Sequence, residues 1–257
     1  MEWSADQYRR FETERNRPIM DLLAHVPTAD VRAAMDLGCG PGNSTELLLG
    51  RWPGAQAAGI DSSPDMIASA RQRLPSADFT VGDIASWNPA ARFDLILANA
   101  ALQWVPGHDA LFPRLVDFLA PGGSLAVQMP DNFDQPSHVA MRTVAARGDW
   151  ATKLANAEDM RATLLDVPGY YRLLKRTGVT VDIWRTTYHH PMAAGLDGII
   201  EWFKGTGLRP YLTRLDAAGQ AAFLDAYRTE IARSYPVMDD GSVLLPFPRL
   251  FIIATRD

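Results

Sequence analysis

Among 257 residues there is one cysteine, Cys39. It cannot close an internal disulfide, which fits a reducing compartment such as the cytoplasm. Lysine and arginine total 25 against 30 aspartate and glutamate, and no long basic run occurs. The electrostatic footprint of a nucleic-acid binder is therefore missing, and any anionic ligand must be met by a local basic cluster. Apolar stretches are broken by charge or proline well short of the roughly 18 residues that a membrane span requires. The opening MEWSADQYRR contains no apolar signal core. A soluble, unprocessed, cytoplasmic protein is expected, with neither a nucleic acid nor a membrane as partner. Internal repeats and low-complexity segments are absent too, and the oligomeric state is left open.

What is present is enough apolar residue, 47%, to bury one sizeable core. A single domain over residues 1–257 is expected: an N-terminal lid over 1–30, a ligand-binding core over 31–130, and helices with C-terminal strands over 131–257. From Ala33 to Gln128 short apolar runs alternate with helical stretches. The runs are AAMDLG, AAGID, ADFTVGD, FDLILAN and SLAVQM, with helices from Asn43, near Ser63 and from Asp109. That alternation predicts parallel strands joined by crossover helices. Ser63 is placed to cap a helix with Pro64 at its first position, and Pro121-Gly122-Gly123 is expected to stop a helix before a strand. Further on, helices are expected over about Pro136–Arg147, Asp159–Thr177 and Asp197–Ser234, with strands at VTVDIWRTTYHH and PRLFIIATR.

The stretch AAMDLGCGPGNST carries three alternating glycines, Gly38, Gly40 and Gly42, directly after Asp36. A glycine-rich turn between strand and helix lets a ligand approach the backbone. The dinucleotide fingerprint wants glycine at its sixth position, where Asn43 stands, and a phosphate loop wants a lysine, which Gly38 to Gly50 lacks. Asp36 would repel a pyrophosphate and attract an ammonium group. Asp61, followed by Ser62, ends the next strand, where a carboxylate suits a ribose diol. Gly82-Asp83-Ile84 ends a third, offering an acceptor for an adenine amino group and an apolar face. Met66 either covers the other face of the ring or is simply buried in its helix.

DLGCGPG, GIDSSPDMI, GDI and LAPGGSLAV, in this order, resemble the class I S-adenosylmethionine-dependent methyltransferases. The resemblance implies an α/β, Rossmann-like seven-stranded sheet with the last strand antiparallel, flanking helices and a helical cap. It implies S-adenosylmethionine as cofactor, S-adenosylhomocysteine as product and no metal. The cofactor residues it nominates are Asp36, Gly38, Gly40, Gly42, Asp61, Ser62, Met66, Asp83, Ile84, Asn99, Gln103 and Trp104. The segment ANAALQWVP lacks the Asn/Asp-Pro-Pro-aromatic pattern of enzymes that methylate nucleobase or glutamine nitrogen. Together with LAVQMPDN, VDIWRTTYHH, TGLRPYL and PFPRLFI, it resembles a branch that esterifies one carboxylate of a small polycarboxylate. A nicotinamide oxidoreductase would leave Asp36 and Asp83 unexplained; the alternatives that stay open are a methyltransferase acting on another small acid or a neutral metabolite, and a non-catalytic cofactor sensor.

Such a reaction needs no general base, because a carboxylate of pKa about 4 is already ionised. The carboxylates that do not react must be held, and guanidinium groups suit that task. Candidates are Arg15 and Arg17 in the lid, Arg185, Arg209 and Arg249, each against the competing reading of a solvated surface arginine. His189 or His190 either donates to the substrate or caps a strand end. Tyr8, Trp3, Trp104 and Trp202 either wall the site against water or pack a core. Cys39, with no histidine beside it in sequence, is not expected to act as a nucleophile.

Overall fold

The computed structural model describes residues 12–148, 150–157 and 164–257. Tyr8 and Trp3 lie outside the described residues. The chain forms two compact units. One holds the described residues up to Met129, those from 164 to Thr186, and Leu250–Asp257; the other holds Pro130 to residue 157 and Thr187–Arg249.

The strands are β1 (Ala33–Leu37), β2 (Gln56–Asp61), β3 (Asp78–Val81), β4 (Phe93–Asn99), β5 (Leu119–Pro130), β6 (Thr180–Met192) and β7 (Val243–Thr255). They make one sheet in the order β3-β2-β1-β4-β5-β7-β6. Pairing from β3 through β5 is parallel, and β7 is the antiparallel strand, inserted between β5 and β6. The central β4 is buried from Leu95 to Asn99, the continuous apolar run expected where helices cover both faces of a parallel sheet.

The first unit's helices are α1 (Glu12–His25), α2 (Asn43–Arg51), α3 (Pro64–Arg73), α4 (His108–Asp117) and α7 (Val167–Lys175). Ser63 caps α3 as its sequence predicts, accepting from the Met66 amide at 3.4 Å with Pro64 at the first position. The unit's core gathers Leu37, Ile96, Leu125 and Ile252 of the sheet with Phe112 and Leu115 of α4. Full burial of a side chain such as Phe112 is worth about 1.5–3 kcal/mol.

Pro121-Gly122-Gly123 departs from expectation. Helix α4 already ends at Asp117, and these residues lie inside β5, where the pairing with β4 shifts register between Phe93 and Leu95. Gly122 takes φ 74° there, and Gly122 N and Gly123 O bond to the Arg256 backbone at 2.8 and 2.9 Å. The triplet is thus an irregularity that turns the strand.

The second unit contains α5 (Pro136–Ala145), α6 (Trp150–Leu154), α8 (Leu196–Lys204), α9 (Arg209–Leu212) and α10 (Ala217–Ile231). The single helical block expected over Asp197–Ser234 is three helices. Gly205 ends α8, and Asp216 restarts the chain by accepting from the Gly219 amide at 2.8 Å to cap α10. Inside this unit Tyr211 stacks on Phe223, and the Tyr235 hydroxyl accepts from the Ser137 amide.

Candidate functional site

The loop after β1 follows from its glycines. Gly38, Gly40 and Gly42 all have positive φ, which L side chains rarely adopt. Gly38 and Cys39 donate backbone N–H groups to the Ile60 carbonyl at 2.8 and 3.1 Å, fixing the loop against the end of β2. A Cβ on Gly38 would lie 2.4 Å from the Ala101 Cβ, whereas one on Gly40 would meet nothing within 4 Å. The two glycines therefore serve different ends, close packing at Gly38 and open space at Gly40. Gly42 caps α2, and the Asn43 side chain donates to Asn16 of α1 at 2.7 Å, tying α1 to the loop.

Two carboxylates frame the loop. Asp36 is fully buried; its Oδ2 accepts from the Ser44 and Thr45 hydroxyls at 2.6 and 2.7 Å. Burial is the largest influence on its pKa, and with Asp61 nearby the result is a rise to about 6, the two hydroxyls opposing it. Asp61 accepts from the Gly40 amide through Oδ2 and from the Ser63 amide through Oδ1, at 3.0 and 2.9 Å. Burial raises its pKa as well. Cys39 is buried and its thiol is pushed far up by the same desolvation, so it is held as an inert thiol.

The segment after β4 carries the third part. Asp36 pairs with Leu97 in register, so Asp36 and Asn99, two residues beyond Leu97, face the same side at the strand ends. Ala100 has φ 52°, unusual for a residue with a Cβ. Its amide donates to the Gln128 carbonyl at 2.8 Å and its carbonyl accepts from Gln103 Nε2 at 2.7 Å, which hold the strained turn. Asp36 Oδ1, Asn99 Oδ1 and Gln103 Oε1 are each buried with no hydrogen-bond partner among the described residues. Buried acceptors left this way are costly, and together they fit a ligand that brings several N–H donors and positive charge.

A second layer steadies this turn. His108, the first residue of α4, is buried, and its Nε2 donates to the Leu102 carbonyl at 2.8 Å. Its Nδ1 then accepts from the Tyr170 hydroxyl at 2.6 Å, which fixes the neutral tautomer. Burial lowers the His108 pKa, in keeping with that assignment. Tyr170→Phe should leave Nδ1 unsatisfied and cost about 1–2 kcal/mol. A thermal melt is expected to show a drop of several degrees; an unchanged melt would remove the pair as a support.

Residues 34–123 match a family model described as a methyltransferase domain. The trans-aconitate 2-methyltransferase of Variovorax paradoxus (strain S110) is 52% identical over 257 residues, covering 100% of this chain and 99% of its own. That of Rhizobium meliloti (strain 1021) is 51% identical, covering 100% of each. That of Yersinia pestis (strain Pestoides F) is 54% identical, covering 98% of each. The chain belongs to the trans-aconitate 2-methyltransferase family. The polycarboxylate branch expected from ANAALQWVP and its companion segments is this one. Solved structures agree on the fold. The YcgJ protein from Bacillus subtilis has a TM-score of 0.60 at 11% identity, covering 93% of this chain and 98% of its own. Haemonchus contortus phosphoethanolamine N-methyltransferase 2, in complex with S-adenosyl-L-methionine, has a TM-score of 0.55 at 17% identity, covering 94% and 53%.

In this trans-aconitate 2-methyltransferase family member, the loop, Asp36, Asp61, Asn99 and Gln103 come together at the strand ends. Ile84 and Met66 are buried, and Trp104 is half-buried on the 3-10 turn Leu102–Trp104. Ser62 and Asp83 are exposed; Asp83 Oδ1 accepts from the Ala85 amide at 2.9 Å. Of the nominated arginines in the first unit, Arg15 is half-buried and Arg17 and Arg185 are exposed. In the second unit Arg209 is half-buried, Arg249 is 4% exposed, and His189 faces out while His190 is buried. Ser44, Thr45, His108 and Tyr170 were not nominated from the sequence. The first two carried a signal, hydroxyls at the start of the helix after the glycine loop, 8 and 9 positions beyond the acid; the last pair carried none, being 62 positions apart.

Proposed function

We propose that the protein transfers the methyl group of S-adenosylmethionine to one carboxylate of trans-aconitate, giving a monomethyl ester and S-adenosylhomocysteine. The observation that carries this reading is similarity to trans-aconitate 2-methyltransferases at 51–54% identity along essentially the whole chain. The residues fit the cofactor: Asp36 Oδ1, Asn99 Oδ1 and Gln103 Oε1 supply three acceptors for the three N–H groups of an ammonium.

When bound, the cofactor supplies an electrophilic methyl group on a sulfonium. Asp61 keeps lone pairs on both oxygens for the ribose hydroxyls while its amide contacts hold it in place. Met66 and Ile84 are apolar neighbours for adenine, Asp83 an acceptor at its edge, and Trp104 shields the methyl from water. Ser62 and Gly42 complete the cofactor set. Orienting an already ionised acceptor oxygen contributes on the order of 7–11 kcal/mol without a general base. The non-reacting carboxylates are met by guanidinium and imidazole groups drawn from Arg15, Arg17, Arg185, His189, Arg209 and Arg249, with Tyr8. A cytoplasmic setting belongs to the same reading, supported by the lone buried Cys39.

The test is methyl transfer from labelled S-adenosylmethionine to trans-aconitate, beside cis-aconitate, citrate and isocitrate, with the product weighed by mass spectrometry. Fastest formation of a trans-aconitate monomethyl ester is expected. A clearly faster acceptor among the other acids would reassign the substrate.

A further inference from the structure

Within the second unit an aromatic cluster is centred on Phe247 of β7. Arg249 follows two residues along the same strand and so shares its face. Its guanidinium lies 4.6 Å from the Phe247 ring centroid, and the residue is 4% exposed. His190 of β6 lies 5.8 Å from the same ring, stacks on Trp202 of α8 at 4.7 Å and is 5% exposed. Trp202 closes the triangle at 5.6 Å from Phe247. Because β6 and β7 are neighbours in the sheet, backbone pairing brings the arginine and the imidazole to one aromatic floor.

Arginine is rarely buried this far, because desolvating a permanent charge is costly. A guanidinium stacked on a ring keeps its N–H donors in its own plane, where a carboxylate is met through paired, charge-assisted bonds. An adjacent imidazole adds one more donor, and aromatic walls lower the dielectric so that each bond counts for more. Arg17 and Arg185 are exposed and Arg15 and Arg209 only half-buried, so burial singles out Arg249.

We propose that Arg249 and His190, set on Phe247 and Trp202, form the subsite that grips a non-reacting carboxylate of the tricarboxylate substrate. The assignment rests on the trans-aconitate reading given above. His189, on the opposite face of β6, is outside this subsite.

Arg249→Gln, Arg249→Lys and His190→Gln in the full chain test it, with steady-state kinetics on trans-aconitate and calorimetric binding of S-adenosylhomocysteine. Arg249→Gln should raise KM for trans-aconitate about 10–100-fold while cofactor affinity stays within about twofold. Arg249→Lys should recover part of the loss, since it restores charge without the planar fork. An unchanged KM in Arg249→Gln, with wild type active, overturns the subsite and leaves the reaction standing. A wild type inert toward trans-aconitate overturns the reaction, and citrate binding by calorimetry then judges the subsite. Binding lost in Arg249→Gln supports it; equal binding, or none in wild type, overturns it. Should Arg249→Gln fail to melt cooperatively, His190→Gln carries the same comparison with the same criteria.

Discussion

Asp36→Asn is expected to weaken S-adenosylhomocysteine binding about 10–100-fold while the ligand-free protein melts no lower than wild type. The amide oxygen of asparagine can keep the Ser44 and Thr45 hydroxyls that Oδ2 now holds. Its NH2 group then stands where Oδ1 offers a buried acceptor. An acceptor facing an ammonium becomes a donor, and the charge is gone. The folded-state pKa of about 6 lies above the ordinary aspartate value of 3.8. Asp36 therefore contributes stability that is fully present below the unfolded value and is lost as pH rises through about 6. Near neutral pH the ionised, buried carboxylate costs on the order of 3 kcal/mol, a cost that the neutral amide would relieve. Cofactor binding has the opposite sign, because it favours the ionised form: wild-type affinity should fall as pH drops from about 7.5 through about 6, and the variant's should not. Calorimetry across that range with parallel melts reads both effects. Equal affinity in wild type and variant at the upper end of the range would remove Asp36 from the site.

Gly38→Ala and Gly40→Ala are expected to fail in different ways. At Gly38 a Cβ would stand 2.4 Å from the Ala101 Cβ. Positive φ adds roughly 1–2 kcal/mol to overpacking of roughly 1–3 kcal/mol. A fall in melting temperature on the order of 10 °C should follow, together with loss of the Ala100–Gln103 turn that Ala101 adjoins. At Gly40 a Cβ meets no atom within 4 Å, so only the conformational cost applies, and the melting temperature should shift by a few degrees. Cofactor affinity should nevertheless drop, because the added methyl occupies the space where a ligand approaches the loop. Equal melting temperatures for the two variants would defeat this division of labour.

The parallel half of the sheet was legible because its strands are short apolar runs, and β1, β2 and β3 end at or just before a glycine or an acid. Ser63-Pro64 marked a helix start that holds to the residue. The second half was less so: Gly205 and Asp216 divide what reads as one helical block, because caps interrupt a pattern whose apolar periodicity continues through them. Pro121-Gly122-Gly123 has the composition of a helix stop yet sits within β5, since register with β4 and bonds to Arg256 decide its conformation. For the site, Asp36, Asp61 and the glycines were legible by position after strands. His190 rather than His189 as the buried imidazole was not, because alternation fixes that they oppose each other but not which face is covered.

By itself the sequence determined the strand-and-helix alternation, the glycine loop with its acid, and the segment after β4, since these signals are local and steric. The tertiary structure alone decided that Asp36 is wholly desolvated with one oxygen satisfied and one open, that Tyr170 supports His108 under the Gln103 turn, and that Arg249 lies buried on Phe247. Burial and desolvation are set by neighbours far away in the chain, so the environment of a carboxylate or a guanidinium cannot be read from the residues beside it.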